Sequence, residues 1–122
     1  MNRRHHGFQF EEKALNYLIA KGYRLLARNV FYKSGEIDLV LEKGQGVEQV
    51  LVFVEVRKRG ASSFIRPEES LTYTKTRRLK SAIQQYLLHY EGHAKSIRLD
   101  LIAFHEDELQ KDALIHYPDF ID

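Results

Sequence analysis

The run VLVFVEVR, residues 50–57, constrains the fold more than any other segment. It is rich in β-branched residues and apolar at both odd and even positions. A strand of that kind is covered on both faces, as in the interior of a layered sheet. The segment before it, EIDLVLE (36–42), alternates cleanly, with Ile37, Leu39 and Leu41 on one face. Each run carries one acid in its apolar body, Asp38 in the first and Glu55 in the second. Half-buried strands normally keep carboxylates on the wet face and apart from one another.

The remaining segments supply the covering layers. Phe10, Ala14, Tyr17 and Leu18 repeat at helical spacing, so residues 8–21 read as a helix that stops at Gly22. Glu11, Ala14, Leu15 and Leu18 fall at i, i+3, i+4 and i+7, which puts Glu11 in or beside the apolar stripe. YRLLARNVFY (23–32) reads as a first strand, and 59–71 as a loop containing Gly60, Phe64 and Pro67. Leu79, Ala82, Ile83, Tyr86, Leu87 and Tyr90 trace a second helix over 74–90, ended by Gly92. SIRLDLIAF (96–104) is a further strand and LIHY (114–117) a short last one. The link from 57 to 96 is long enough for a helical crossover, making the third and fourth strands parallel with right-handed crossing. The expected fold is α/β: three layers α/β/α around a mixed sheet of four to five strands, in the order helix-strand-strand-strand-helix-strand.

With 122 residues, 43% of them hydrophobic, the chain suits one domain over 1–122, with 1–7 as a flexible basic arm. Two Pro and seven Gly leave no room for a long linker. No apolar run approaches a membrane span, and no apolar core follows the basic start MNRRHHGFQF. Cysteine is absent, which excludes disulfides and thiolate metal sites. A cytoplasmic protein without a membrane partner is expected. The net charge of +2 says little, but its distribution says more. Residues 57–80 hold eight Lys or Arg against Glu68 and Glu69, whereas 105–122 hold six acids and one Lys. The basic middle suits a polyanion partner, or simply solvates a helix face.

The second and third strands are joined by KGQGVEQ (43–49), which reads as a hairpin with Gly46 and Val47 as its two-residue turn. Paired residue numbers then sum to 93, so Asp38 faces Glu55, Val40 faces Phe53 and Glu36 faces Arg57. Opposed residues share a face, and opposed like charges destabilise a sheet. Two compensations are open. Arg57 neutralises both acids, or a divalent cation is held by their oxygens. Mg²⁺ typically takes only one or two carboxylates, with waters and substrate phosphates completing the shell. Glu11 is placed to add an oxygen. Lys75, Arg77, Arg78 and Lys80 crowd the first turns of the second helix, where the helix dipole disfavours cations. That placement suits phosphate binding.

GEIDLV (35–40), FVEVRKR (53–59), LTYTKTRRL (71–79) and RLDLI (98–102), preceded by GFQFEEKALNYL (7–18), together resemble the YraN-like family of small bacterial proteins. The resemblance covers nearly the whole chain. It implies a restriction-endonuclease-like fold, similar to archaeal Holliday-junction resolvases, and DNA as the partner. In that superfamily the site is an acid on one strand and E-x-K on the next, often with a Glu from the first helix. The resemblance then implies Asp38 and Glu55 as metal-binding catalytic acids, Glu11 as a further ligand, and Mg²⁺ or Mn²⁺ as cofactor. Arg57 stands where Lys is usual. It stabilises charge but cannot act as a base, because a guanidinium stays protonated. Arg59, Lys75, Arg77 and Arg78 are expected to hold the nucleic-acid backbone. Selectivity for branched DNA and a homodimer matched to junction symmetry would follow the same likeness. The alternative is a non-catalytic nucleic-acid-binding or scaffold module that keeps the nuclease fold. A weaker third reading is a protein-interaction module using the acidic C-terminal segment. His89 and His93, at i and i+4, have the spacing of a zinc pair but no evident third ligand, and Asp100 is expected to pair internally with Arg98.

Overall fold

Seven principal elements follow in the order α1 (Arg3–Ala20), β1 (Arg24–Tyr32), β2 (Gly35–Lys43), β3 (Val50–Arg59), α2 (Tyr73–Leu87), β4 (Ser96–Glu106) and β5 (Asp112–Tyr117). They come from a computed structural model that describes residues 3–59, 73–106 and 112–120. The strands form one sheet in the order β1-β2-β3-β4-β5. β3 and β4 are parallel and every other neighbouring pair is antiparallel.

The continuous apolar character of β3 has a direct cause. Val52, Val54 and Val56 pack with Leu39 and Leu41 against Ala14, Leu15 and Leu18 of α1. Leu51 and Phe53 pack with Val40 on the other face against Leu79, Ala82 and Ile83 of α2. The α/β/α layering expected from the sequence is therefore present. Helix α1 begins at Arg3, so the segment expected as an arm contributes its first turns. It ends as expected at Gly22, whose φ is +93°. The Gly22 amide donates to Ile19 O and the Tyr23 amide to Leu18 O, both at 3.0 Å, the paired bonds of a Schellman stop.

The β2–β3 hairpin keeps the expected register but not the expected turn. Leu39 pairs with Val54, Val40 with Phe53, and so on to Lys43 with Val50. Between them residues 44–49 form a longer loop with a 3-10 turn at Gly46–Glu48. The loop has the same midpoint as the two-residue turn, so every pair still sums to 93. Gly44, at φ +87°, opens the loop where a Cβ would lie 2.7 Å from the Glu48 carbonyl oxygen.

Helix α2 stops at Leu87, short of the expected Tyr90. Tyr90 leaves the helix because its hydroxyl bonds to Glu42 on β2 and accepts from the Ala94 amide at 3.2 Å. His89 and His93 consequently lie beyond the helix, exposed, and lose their helical spacing. The residues expected as a loop at 60–72, with Phe64 and Pro67, lie outside the described residues, as does much of the acidic C-terminal segment.

Candidate functional site

The site begins where the β2–β3 ladder ends. Its last pair is Leu39–Val54, so the expected Asp38–Glu55 and Glu36–Arg57 pairs are not part of it. The alternation breaks at Asp38, and Ile37 packs on the α2 face instead of sharing the α1 face with Leu39 and Leu41. There Asp38 turns its carboxylate to β3, and the Val56 amide donates to Asp38 Oδ2 at 2.8 Å. A side chain thus replaces a main-chain partner and fills the seam between the strands. Glu55 lines a cleft on the α2 face with Arg57, and Arg57 Nη2 lies 2.6 Å from Glu55 Oε1. Arg57 Nε is buried with no hydrogen-bond partner among the described residues.

Glu11 reaches the same seam from the α1 side. It hydrogen-bonds to Asp38 and to the Asn29 side chain. Asn29 stands between the pairs Arg28–Leu39 and Val30–Ile37, hence across from Asp38. Its φ is +51°, a left-handed conformation that Asn tolerates better than most residues. The local kink in β1 follows a register shift between Leu25 and Ala27. Among the described residues no group of three or more His, Cys, Asp or Glu side chains forms a ready-made metal cage.

Burial raises the proton affinity of all three acids. Burial and the Asp38 charge lift the Glu55 carboxyl to about 8, against the opposing pull of Arg57 and Lys75. Burial, then the charge and hydrogen bond of Asp38, lift Glu11 to about 7, against Asn29 and Arg28. Asp38 is itself raised by burial, which outweighs the Val56 amide and Arg57.

Asp100 supplies the contrast. It is fully buried on β4, yet Arg98 grips both its oxygens at 2.7 and 2.8 Å. His116 Nε2 lies 2.7 Å from Oδ2, and the Asp119 amide donates to Oδ1 at 2.9 Å. Against the upward push of burial, these hydrogen bonds hold its carboxyl below the usual range. Arg98 also donates to the Tyr23 hydroxyl at 2.6 Å. Asp100 is thus a satisfied structural acid, the internal pair expected from the sequence. Asp38 and Glu55 are buried to a similar degree but carry more negative charge than their surroundings offset. That shortfall of positive charge, next to a cleft, suits a cation.

The cleft over Glu55 and Arg57 encloses about 440 Å³ and is completed by Lys75, Arg78 and the β1–β2 turn. A second cleft of about 310 Å³ adjoins it, lined by Ser34, Thr74, Arg77, Arg78 and Ser81. Arg78 borders both. Lys75, Arg77 and Arg78, expected as phosphate contacts, therefore do gather beside the acids. Arg59 ends β3, and its side chain lies outside the described residues. Gly35 brings the β1–β2 turn against α2, because a Cβ there would lie 2.4 Å from the Arg78 carbonyl oxygen. That close approach accounts for the glycine of GEID. Asn29, Ser34 and Gly35 had no assigned role in the sequence. Only Gly35 carried a signal, as a glycine immediately before an alternating strand.

The fold and site define a three-layer α/β/α domain with two buried carboxylates, Asp38 in the strand seam and Glu55 opening onto a cleft lined by Arg57, Lys75 and Arg78. The chain belongs to the family described as uncharacterised protein family UPF0102, whose pattern matches residues 10–104. It is 37% identical over 122 residues to a UPF0102 protein of Carboxydothermus hydrogenoformans, covering 100% of this chain and 99% of that one. It is 38% identical over 97 residues to one of Persephonella marina, covering 80% of each chain. A Vibrio cholerae relative is 37% identical over 108 residues, covering 87% of this chain and 85% of its own. Among the described residues, no helix is long and apolar enough to cross a membrane.

Proposed function

We propose that this protein is an endonuclease that hydrolyses DNA phosphodiester bonds with Mg²⁺ or Mn²⁺. The observation that carries the reading is the pair of buried, under-neutralised acids Asp38 and Glu55, the second of which lines a cleft walled by Arg57, Lys75 and Arg78. Asp38 and Glu55 would hold the ion, with Glu11 fixing Asp38 from behind. When bound, such an ion supplies positive charge to the transferring phosphoryl group and makes water a better nucleophile at neutral pH. Arg57 lines the cleft and offers its guanidinium charge to a phosphate oxygen while Nη2 stays on Glu55. Lys75, Arg77 and Arg78 position the backbone, and burial of the acids limits competing water. Burial keeps Glu55 partly protonated near neutrality until positive charge arrives.

The test is cleavage of four-way, flapped, nicked and plain duplex DNA with each ion. Metal-dependent cleavage abolished by Asp38→Asn and Glu55→Gln is expected. No cleavage of any substrate, or full activity in both variants, would overturn the reading. A second reading, a nucleic-acid-binding module without hydrolysis, draws on the 2.6 Å Arg57–Glu55 pair, which already places a cation on one acid. It predicts salt-sensitive DNA binding that is indifferent to metal.

A further inference from the structure

Among the described residues, the large apolar side chains left exposed include two aromatic rings, Phe31 at 57% and Tyr73 at 77%. Both border the cationic surface. Phe31 lies at the end of β1 and lines the cleft that holds Glu55 and Arg57. Tyr73 opens α2, and the Arg77 guanidinium sits over its ring at 5.7 Å from the centroid. Arg77 in turn lines the adjoining cleft. A single exposed aromatic residue needs no explanation. Two rings flanking contiguous clefts lined by Lys75, Arg77 and Arg78 form a different pattern. Cations that follow a phosphate backbone, interleaved with flat apolar faces, are what an unpaired strand requires.

In a duplex both faces of each base are stacked, and a protein meets phosphates and base edges only. An aromatic ring stacks freely on an unpaired base, whereas wedging into a duplex costs about a few kcal/mol per base step unstacked. Phe31 has no hydrogen-bonding group, so on an undistorted duplex it offers apolar contact but no stacking. We propose that the surface binds unpaired nucleotides, with one base stacked on Phe31 beside the acids and another on Tyr73 under Arg77. The substrate class is then DNA with a single-stranded segment at the cut site. This rests on the phosphodiesterase reading for the identity of the cleft, but concerns binding and is measurable without cleavage.

The experiment measures binding of a fluorescent oligo-dT and of a duplex of equal length, in EDTA at one fixed low salt concentration. The proteins are wild type, Phe31→Leu, Tyr73→Leu and the double variant. Both positions are exposed, so an unchanged melting temperature is the control for folding. The single strand is expected to bind about tenfold more tightly than the duplex, and each substitution to weaken it about tenfold. Duplex affinity should not change. An oligonucleotide lacking bases should bind weakly and ignore both substitutions. Equal binding of single strand and duplex, or substitutions without effect on the single strand, would overturn the proposal. So would substitutions that weaken both forms alike. Metal-dependent cleavage without single-strand preference would sink this inference and leave the enzyme reading intact. Stacking-dependent binding without cleavage would do the reverse.

Discussion

The Val56 amide donates to Asp38 Oδ2 at 2.8 Å, just past the last main-chain pair of β2 with β3. One acid therefore has two tasks, closing the seam and placing a buried charge near Glu55. The tasks are separable. Asp38→Asn keeps an oxygen for the amide and removes a like charge. It should match or exceed wild-type stability at pH 7 while abolishing cleavage. Asp38→Ala leaves the amide buried without its acceptor, which costs about 1–3 kcal/mol. Denaturant melts of the two variants give the comparison, and an Asn variant less stable than Ala would contradict the role.

Stability should fall as pH rises through the neutral range. Glu11 and Glu55 go from an ordinary 4.5 to about 7 and about 8 on folding. Between those limits the folded state holds more protons than the unfolded one, so alkalinisation favours unfolding. The contribution is fully present below the ordinary range and lost above about pH 8. In EDTA the unfolding free energy should drop from pH 5 to 8.5 by about 4 kcal/mol through Glu55, with a smaller, solvent-screened share from Glu11. Glu55→Gln should flatten that slope. Parallel profiles for wild type and variant would show that Glu55 does not titrate in this window.

Gly35→Ala should cost about 1–3 kcal/mol, because its Cβ would meet the Arg78 carbonyl oxygen at 2.4 Å. The obstacle is backbone, so it cannot rotate away. Relief requires the β1–β2 turn to withdraw from α2, which also opens the clefts that share Arg78. Weaker DNA binding with a smaller salt dependence is expected alongside the lower melting temperature. A variant with unchanged melting and binding would show that the turn can shift at no cost.

Asp100→Ala should be among the most damaging single substitutions, costing on the order of 3–5 kcal/mol. It strands Arg98 and His116 in a buried setting and removes the acceptor of the Asp119 amide. Its effect should be on stability alone. At a temperature where the variant is folded, cleavage per folded molecule should equal wild type.

Much of this could be read from the sequence because two periodicities agreed. The apolar run of β3 demanded cover on both faces, and the helical stripes of α1 and α2 supplied it. The 93-sum register survived a wrong turn assignment because the six residues 44–49 have the same midpoint as Gly46 and Val47. The Asp100–Arg98 pair was legible from strand alternation. What was not legible depends on the third dimension. Asn29 has no pattern that foretells a left-handed φ inside a strand, and Tyr90 leaves its helix for a distant partner, Glu42. The β1–β2 turn comes to the cleft through a backbone approach at Arg78, which no spacing encodes.

Glu11 and Asp38 meet through a hydrogen bond that needs one of them protonated. Glu11 belongs to the helix on one side of the sheet, and Glu55 opens on the other. Positive charge arriving beside Glu55 is therefore expected to favour ionised Asp38 and, through it, to alter the contact that Glu11 makes from α1. A probe on α1, remote from any bound strand, would feel the cleft fill.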